Sequence, residues 1–315
     1  MTAIHPSSER TAVLLTGASG FVGSALLPAL KDVGAIRCLV RDASRLQTSG
    51  DVHVVEADLT DSDSLAPALE GMDEAYYLVH SMEPGGGQDY VERDRRAATN
   101  YVQAAREAGI RRTIYLGGIG GGDESSEHLE SRREVEEVLA GAGPEFVALR
   151  ASMIVGAKSA SFGTLVQIVD RLPVLAMPAW RDRSTQPIAI DDVVACLVAA
   201  REVKPGAYEI AGPDTLTFAE MTEVIADLLG KTHRSVPLPF SNAKLEAAMA
   251  SLVTDEDQEL LEPLMEGLHG DLVVSDNQIE RTFGVRPTPF ADAARTAIEG
   301  MTGVETADAQ PAAES

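Results

Sequence analysis

From Thr11 onward, short apolar runs alternate with amphipathic stretches, the pattern of βαβ units feeding a parallel sheet. The apolar runs predict strands at Ala12–Thr16, Ile36–Val40, Val52–Glu56, Ala75–Val79, Thr113–Leu116 and Glu145–Leu149. Between them, helical spacing predicts Val22–Val33, with Gly34 as its stop, and Ser64–Leu69, for which Asp61, Ser62 and Asp63 offer caps. Two longer helices follow, Tyr90–Ala108 closed by Gly109 and Glu130–Ala140. Glycine-rich loops stand at 84–87 and 117–122. The fold class this implies is α/β, a doubly wound parallel sheet.

After Arg150 the rhythm changes. Residues 156–186 are irregular and carry Pro173 and Pro178; Asp191–Ala200 then reads as an apolar helix capped by Asp191 or Asp192. A short strand at Tyr208–Ile210 precedes a helix at Thr217–Leu229, and a Pro-Leu-Pro turn at 237–239 leads to further helix. The expected division is a nucleotide-binding domain at 11–155 and a smaller substrate or lid region at 156–302. Residues of about 187–212 are expected to return to the sheet, with flexible tails at 1–10 and 303–315. Phe162, Leu165, Ile168, Val169 and Leu172 fit one face of a lid helix packed on the sheet; the apolar stretch from Phe162 to Trp180 would also suit the wall of an apolar pocket.

Charge narrows the partners. With 26 basic and 49 acidic side chains the net charge is −23, which repels nucleic acid and anionic lipid surfaces. Aromatic residues are only 4% of the chain, so the core must rest on aliphatic side chains. Cys38 and Cys196 each sit in an apolar run and read as buried free thiols. The polar N-terminus has no apolar signal region, and no run is long enough to span a bilayer, so the expected compartment is the cytoplasm, without membrane insertion. Six scattered histidines give no metal-ligand spacing, and the acidic run Asp255–Glu259 reads as a solvated helix start. A nucleophile elbow, a phosphate-loop lysine and a zinc-protease motif are all missing.

The chemistry begins at Thr16–Gly23, TGASGFVG, placed between the first strand and the first helix. Gly17 permits the tight turn, Gly20 admits a pyrophosphate to the backbone, and Gly23 lets helix and strand pack closely. Ser19, Phe21 and Val22 complete the cradle, and the helix directs its positive end at the phosphates. This is the context of a dinucleotide site, the Rossmann arrangement. The second strand ends in Arg41-Asp42: Arg41 suits the 2′-phosphate of NADP(H), while Asp42 beside it would serve NAD(H). NADP(H) is the expected cofactor, NAD(H) the alternative. Asp58 and Leu59, after the third strand, are placed to flank the adenine.

Several segments together resemble the short-chain dehydrogenase/reductase superfamily, in its atypical and extended branches. TGASGFVG is similar to that family's glycine loop, Asp58-Leu59 to its adenine-side pair, and Pro187–Val193 and Tyr208–Thr217 to its later conserved-looking segments. Tyr77–Met82 and Leu149–Gly156 resemble an NmrA-like group that includes relatives of the accessory Rossmann subunit of respiratory complex I. The resemblance implies cofactor contacts from Val79, His80, Ser81, Met82, Asn100, Gly117 and Gly118. It also implies a Ser and a Tyr-x-x-x-Lys pair, and here the chain departs. His128 stands at the tyrosine position, Arg132 at the lysine position, and Leu116–Gly120 holds no serine. Tyr76, Tyr77 and Tyr90 lie in the vicinity without taking the catalytic place.

The expected catalytic groups are therefore His128 and Arg132, with His80 as a rival acid. The expected function is hydride transfer between NADP(H) and a small, largely apolar substrate such as a quinone or carbonyl compound. The missing Ser and Tyr also fit a non-catalytic redox sensor or assembly factor with a protein partner. A nucleotide-sugar epimerase ranks third.

Overall fold

Strand Thr11–Thr16 (β1) is buried on both sides: Val13 and Leu15 enter one apolar cluster and Leu14 enters another. The computed structural model that shows this describes residues 11–46, 52–80, 90–120, 127–172, 174–177, 179–232, 234–237, 247–248, 250–251, 254, 261 and 270–301. The expected loop at 84–87, the acidic run at 255–259, most of the Pro-Leu-Pro turn and both tails lie outside them.

The N-terminal half runs through β1, helix Phe21–Ala29 (α1), Gly34–Val40 (β2), Val52–Glu56 (β3), Leu65–Leu69 (α2) and Glu74–Tyr77 (β4). Tyr90–Ala108 (α3), Arg112–Gly118 (β5), Glu127–Leu139 (α4) and Glu145–Ala151 (β6) follow. The C-terminal half adds strands Ile154–Val155 (β7), Val174–Met177 (β8), Ser184–Thr185 (β9), Ile188–Ala189 (β10), Gly206–Ile210 (β11), Leu216–Thr217 (β12) and Arg234–Pro237 (β13). Its helices are Ala160–Arg171 (α5), Ile190–Ala199 (α6), Phe218–Leu228 (α7), Ile279–Phe283 (α8) and Phe290–Glu299 (α9).

Seven strands form one parallel sheet in the order β11-β6-β5-β4-β1-β2-β3. One face packs on α1 and α6 through Leu26, Leu27, Val193 and Leu197. The other packs on α2, α3 and α4 through Leu65, Tyr101, Val135 and Leu139. Cys38 and Cys196 are free and buried in the first face, and burial pushes both thiols up to about 12. Beyond the sheet, Phe162, Val169, Phe218, Met221 and Phe290 form a separate core, built by α5, α7 and α9. Side chains tie this lid to the sheet's last strand and helix. The Asp192 carboxylate accepts from the Thr288 N–H (2.7 Å) and hydroxyl (3.1 Å), and the Asn277 amide donates to the Ala211 carbonyl (2.9 Å).

Several boundaries differ from those expected. Helix α1 ends at Ala29, just past Pro28, and Gly34 opens β2 instead of stopping a helix. A Cβ at Gly34 would stand 2.0 Å from the Thr11 carbonyl oxygen, so this glycine serves strand pairing. Helix α6 begins at Ile190 with Ala189 as its cap, so Asp191 and Asp192 fall in the first turn and Asp192 is recruited by Thr288. Asp61 caps a short turn ahead of α2. Thr217 does open α7, in a reciprocal capping box with Glu220.

The sheet's amino edge is held by charge. Glu74, 2% exposed, accepts from Arg111 (2.5 Å) and Arg201 (2.7 Å), and Arg112 bonds Glu145 (2.8 Å) and the Ala200 and Val203 carbonyls (2.9 Å each). Removing one partner of such a cluster strands the opposing charges. Glu74→Ala should lower the unfolding free energy by about 3–5 kcal/mol. Urea titration checks this, and an unmoved midpoint would show that the cluster contributes nothing.

Candidate functional site

The sheet order reverses between β1 and β4, and ligands of such sheets settle outside the carboxyl ends of the strands at that switch. Thr16 clamps the junction: its hydroxyl donates to the Tyr76 carbonyl (3.0 Å) and accepts from the Leu78 N–H (3.1 Å). The chain then turns at Gly17, whose φ of 70° and position 2.7 Å (for an added Cβ) from the Leu78 oxygen both exclude a side chain. At Gly23 an added Cβ would stand 2.1 Å from the Gly17 oxygen, so α1 starts pressed against the turn. Its cap, Gly20, brings no side chain to the first helical N–H groups. Those donors are left for an anion, and the cradle fits a pyrophosphate. Gly17, Gly20, Phe21, Val22 and Gly23 line a cavity of about 460 Å³, while Ser19 is exposed outside its lining.

The end of β2 carries the selectivity candidates. Asp42 is engaged locally: its carboxylate accepts from the Ser44 N–H (2.9 Å) and hydroxyl (2.6 Å), which hold it below its ordinary pKa. Arg41 and Arg45 are exposed on either side. Asp58 accepts from the Thr60 N–H and hydroxyl, both at 2.8 Å. Burial works to raise its pKa, yet Thr60, Arg41 and Arg96 hold it low. Leu59 is buried, and its carbonyl takes the Asn100 amide at 3.0 Å, so Asn100 acts on the backbone of this loop. Arg41, Asp58, Leu59 and Asn100 all stand outside the cavity lining.

Deeper in, the cavity passes Leu78 and His80, Gly117 and Gly118, and Arg132. Val79 turns the other way, against the cluster of Tyr77 and Tyr101. The His80 Nε2 lies 3.1 Å from the Leu116 carbonyl, which only accepts, so Nε2 carries the proton and Nδ1 presents a lone pair. That Nδ1 is buried without a hydrogen-bond partner among the described residues. Burial and the Arg132 guanidinium push the imidazole down to about 3, so it is neutral across the working range. Burial also lowers the Arg132 pKa, against the pull of Tyr115 and Asp94, and the Tyr115 hydroxyl donates to the Arg132 carbonyl (3.0 Å).

Among the described residues no tyrosine lines the cavity. Tyr76, Tyr101 and Tyr115 are buried with their hydroxyls bonded elsewhere, and Tyr77 is fully enclosed. His128 belongs to the first turn of α4, four positions before Arg132; its side chain, and Ser81 and Met82, lie outside the described residues.

Sequence reasoning offered Leu165, Ile168 and Trp180 as an apolar pocket wall, and all three line the cavity, but it missed the polar residues of that wall and its contact with the glycine loop. A Cβ at Gly156 would meet the Phe21 ring at 2.8 Å, so the phosphate loop touches the lid directly. Lys158, Ser161 and Thr164 line the cavity beside Leu165 and Ile168 of α5. The available signal was Ser159, which caps α5 through the Phe162 N–H (3.4 Å) at the start of an apolar helical face.

Comparison with known proteins agrees with this geometry. Residues 17–155 match the family model described as NAD(P)H-binding. The chain is 26% identical over 286 residues to the mitochondrial NADH dehydrogenase [ubiquinone] 1 alpha subcomplex subunit 9 of Arabidopsis thaliana, covering 84% of this chain and 71% of that one. It is 27% identical over 248 residues to a (4-alkanoyl-5-oxo-2,5-dihydrofuran-3-yl)methyl phosphate reductase of Streptomyces griseus, 76% of this chain and 80% of the reductase. In fold it is similar to an NADPH-dependent quinone oxidoreductase of Escherichia coli solved with NADPH, at TM-score 0.71 and 20% identity over 90% of this chain and 98% of that one. No helix among the described residues is long and apolar enough to cross a membrane. Residues 17–155 are thus an NAD(P)H-binding domain of Rossmann type, in a chain similar in sequence to the NADH dehydrogenase subunit and in fold to the quinone oxidoreductase.

Proposed function

We propose that this protein is an oxidoreductase that moves a hydride between NADP(H) and a small, largely apolar substrate. The observation that carries the reading is the continuity of one cavity from the glycine loop, past His80 and Arg132, to the apolar wall of α5, Trp180 and Phe218. A cofactor held at the loop and a substrate held at the lid would share this space. By its title the Streptomyces griseus relative is a reductase, and the fold neighbour from Escherichia coli is an oxidoreductase, which supports the reaction class.

The loop N–H groups and the start of α1 would hold the phosphates, and Asp58 and Leu59 would border the adenine. With Asp42 engaged by Ser44, the end of β2 offers cations to the ribose, which favours the 2′-phosphate of NADP(H) over the free hydroxyls of NAD(H). A nicotinamide cofactor held there would supply the hydride chemistry. His80 accepts a hydrogen bond at Nδ1 and positions whatever donor reaches it; an imidazole this hard to protonate is no acid at neutral pH. Arg132 stabilises negative charge developing on the substrate and does not itself transfer a proton. His128 is the assigned proton donor.

A second reading has one observation in its favour: the cavity is lined by no tyrosine among the described residues. A dinucleotide-binding sensor or assembly factor needs none, and it would bind cofactor without turnover and capture a protein partner.

Three outcomes test these assignments. Arg41→Ala should weaken NADPH binding by about tenfold or more while leaving NADH unchanged, read by calorimetry; equal losses for both would remove Arg41 from selectivity. His128→Ala should abolish turnover in a quinone and carbonyl screen with NADPH affinity intact, whereas binding without turnover in the wild type would establish the sensor. For His80, the folded imidazole resists protonation while the unfolded one titrates near its ordinary value of about 6.5. The unfolded state therefore binds more protons between about 6.5 and about 3, and stability falls as pH drops through that window. His80→Gln should reduce this acid loss, measured by urea titration from neutral to acidic pH; an identical pH profile would refute the burial of a neutral His80.

A further inference from the structure

The described lining of the cavity contains Lys158 and Arg132 and not one aspartate or glutamate, in a chain of 49 acidic residues and net charge −23. On so acidic a protein, an interior wall with cations alone is built for a negative guest. The cations stand apart. Arg132 belongs to the cofactor side, beside His80 and Gly118, whereas Lys158 stands on the lid, immediately before the cap of α5.

At that end of α5 the donors converge. Ser159 spends its hydroxyl on the Phe162 N–H and its carbonyl on the Gly163 N–H (2.8 Å). The N–H groups of Ala160 and Ser161, the first two helical positions, are left without intrahelical acceptors, and both residues line the cavity. The Lys158 ammonium makes no hydrogen bond or ion pair among the described residues, and neither does the Ser161 hydroxyl. One turn further on the same face stands Thr164, only 2% exposed. Its Oγ1 is buried and has no hydrogen-bond partner among the described residues, and Thr164 is part of the cavity lining. A buried hydroxyl left unsatisfied costs stability in the free protein and is explained by a ligand atom that completes it. Beyond Thr164 the same helix face turns apolar, with Leu165 and Ile168, and Trp180 and Phe218 continue that surface.

From this arrangement we infer that the substrate is an acidic amphiphile. Its carboxylate or phosphate monoester is held by Lys158, Ser161 and the N–H groups of Ala160 and Ser161; Thr164 bonds an adjoining oxygen, and the apolar body lies along Leu165, Ile168 and Trp180. The inference rests on the reading of the cavity as shared by cofactor and substrate, and it names the class of substrate. It also separates two kinds of anion: the cofactor's phosphates belong to the glycine loop and the substrate's to α5.

The test uses the full-length protein, titrated calorimetrically with octanoate, octyl phosphate and 1-octanol, each with and without saturating NADPH. At least one of the two anions should bind about tenfold or more tightly than octanol, and the tighter of the two identifies the acid. Lys158→Ala should reduce that preference by about tenfold, with NADPH affinity unchanged. Thr164→Val should weaken the anion several-fold while holding or raising the melting temperature, since it deletes an unsatisfied buried hydroxyl. A merely structural threonine would give the opposite sign of stability change and no change in binding. Octanol binding as well as the anions, or Lys158→Ala leaving anion affinity intact, would overturn the inference. So would a loss of NADPH affinity in Lys158→Ala as large as the loss for the anion, because the lysine would then belong to the cofactor. Failure of NADPH to bind the wild type would sink the oxidoreductase reading, while the titrations without cofactor would still judge the α5 subsite.

Discussion

Everything in the site depends on how closely backbone approaches backbone where β1 and β4 part. The Thr16 hydroxyl bridges the two strand ends, and Gly17 then turns within reach of the Leu78 oxygen, leaving no room for a Cβ. Because Gly17 is so placed, α1 can start against it at Gly23, and the uncapped donors of α1 open into the crevice. The same closeness fixes where the segment after β4 leaves the sheet, which sets Leu78 and His80 on the cavity and Val79 away from it. A side chain at either glycine would not merely weaken phosphate binding. It would push β4, and with it His80, out of register with the loop it faces.

Charge is deployed in two contrasting ways in this acidic chain. At the amino edge of the sheet, arginines answer carboxylates: Arg111 and Arg201 meet the buried Glu74, and Arg112 meets the half-buried Glu145. There the pairing is complete and holds strand ends together. At the carboxyl edge Lys158 and Arg132 line the cavity with no carboxylate beside them in the described lining, and Asp94 acts on Arg132 from outside it. One end of the sheet is thus neutralised internally and the other is kept electropositive for guests.

The N-terminal sheet was legible because its inner strands are buried on both faces and its helices on one, so periodicity speaks directly. Val52–Glu56 and Tyr90–Ala108 are read with the boundaries the structure has. The errors come where a tertiary contact overrides a local signal. Gly34 looks like a helix stop but is demanded by Thr11 across the strand pair, and Asp192 looks like a cap but is claimed by Thr288 from nearly a hundred residues away. For the site, the glycine loop is local and therefore readable. Lys158 and Thr164 are not, since nothing in a serine-rich turn announces that it will face the glycine loop across a cavity; that follows only from Phe21 packing on Gly156.

That contact between Phe21 and Gly156 also bears on how floor and roof move. The lid is not a flap on a single hinge. It is sewn to the sheet by Asp192 with Thr288, by Asn277 with Ala211, and by the Asp214 carboxylate accepting from the Phe290 N–H at 2.7 Å. With Phe162 stacked edge-on against Phe290, the helix that carries Thr164 shares a core with the segment those bonds anchor. The cavity's two walls therefore form one packed unit, and the distance between glycine loop and α5 is set by the fold rather than by a ligand. A site built this way discriminates substrates by the length that fits between a cofactor held at the glycine loop and the anion cradle of α5, which makes spacing, more than closure, its means of selection.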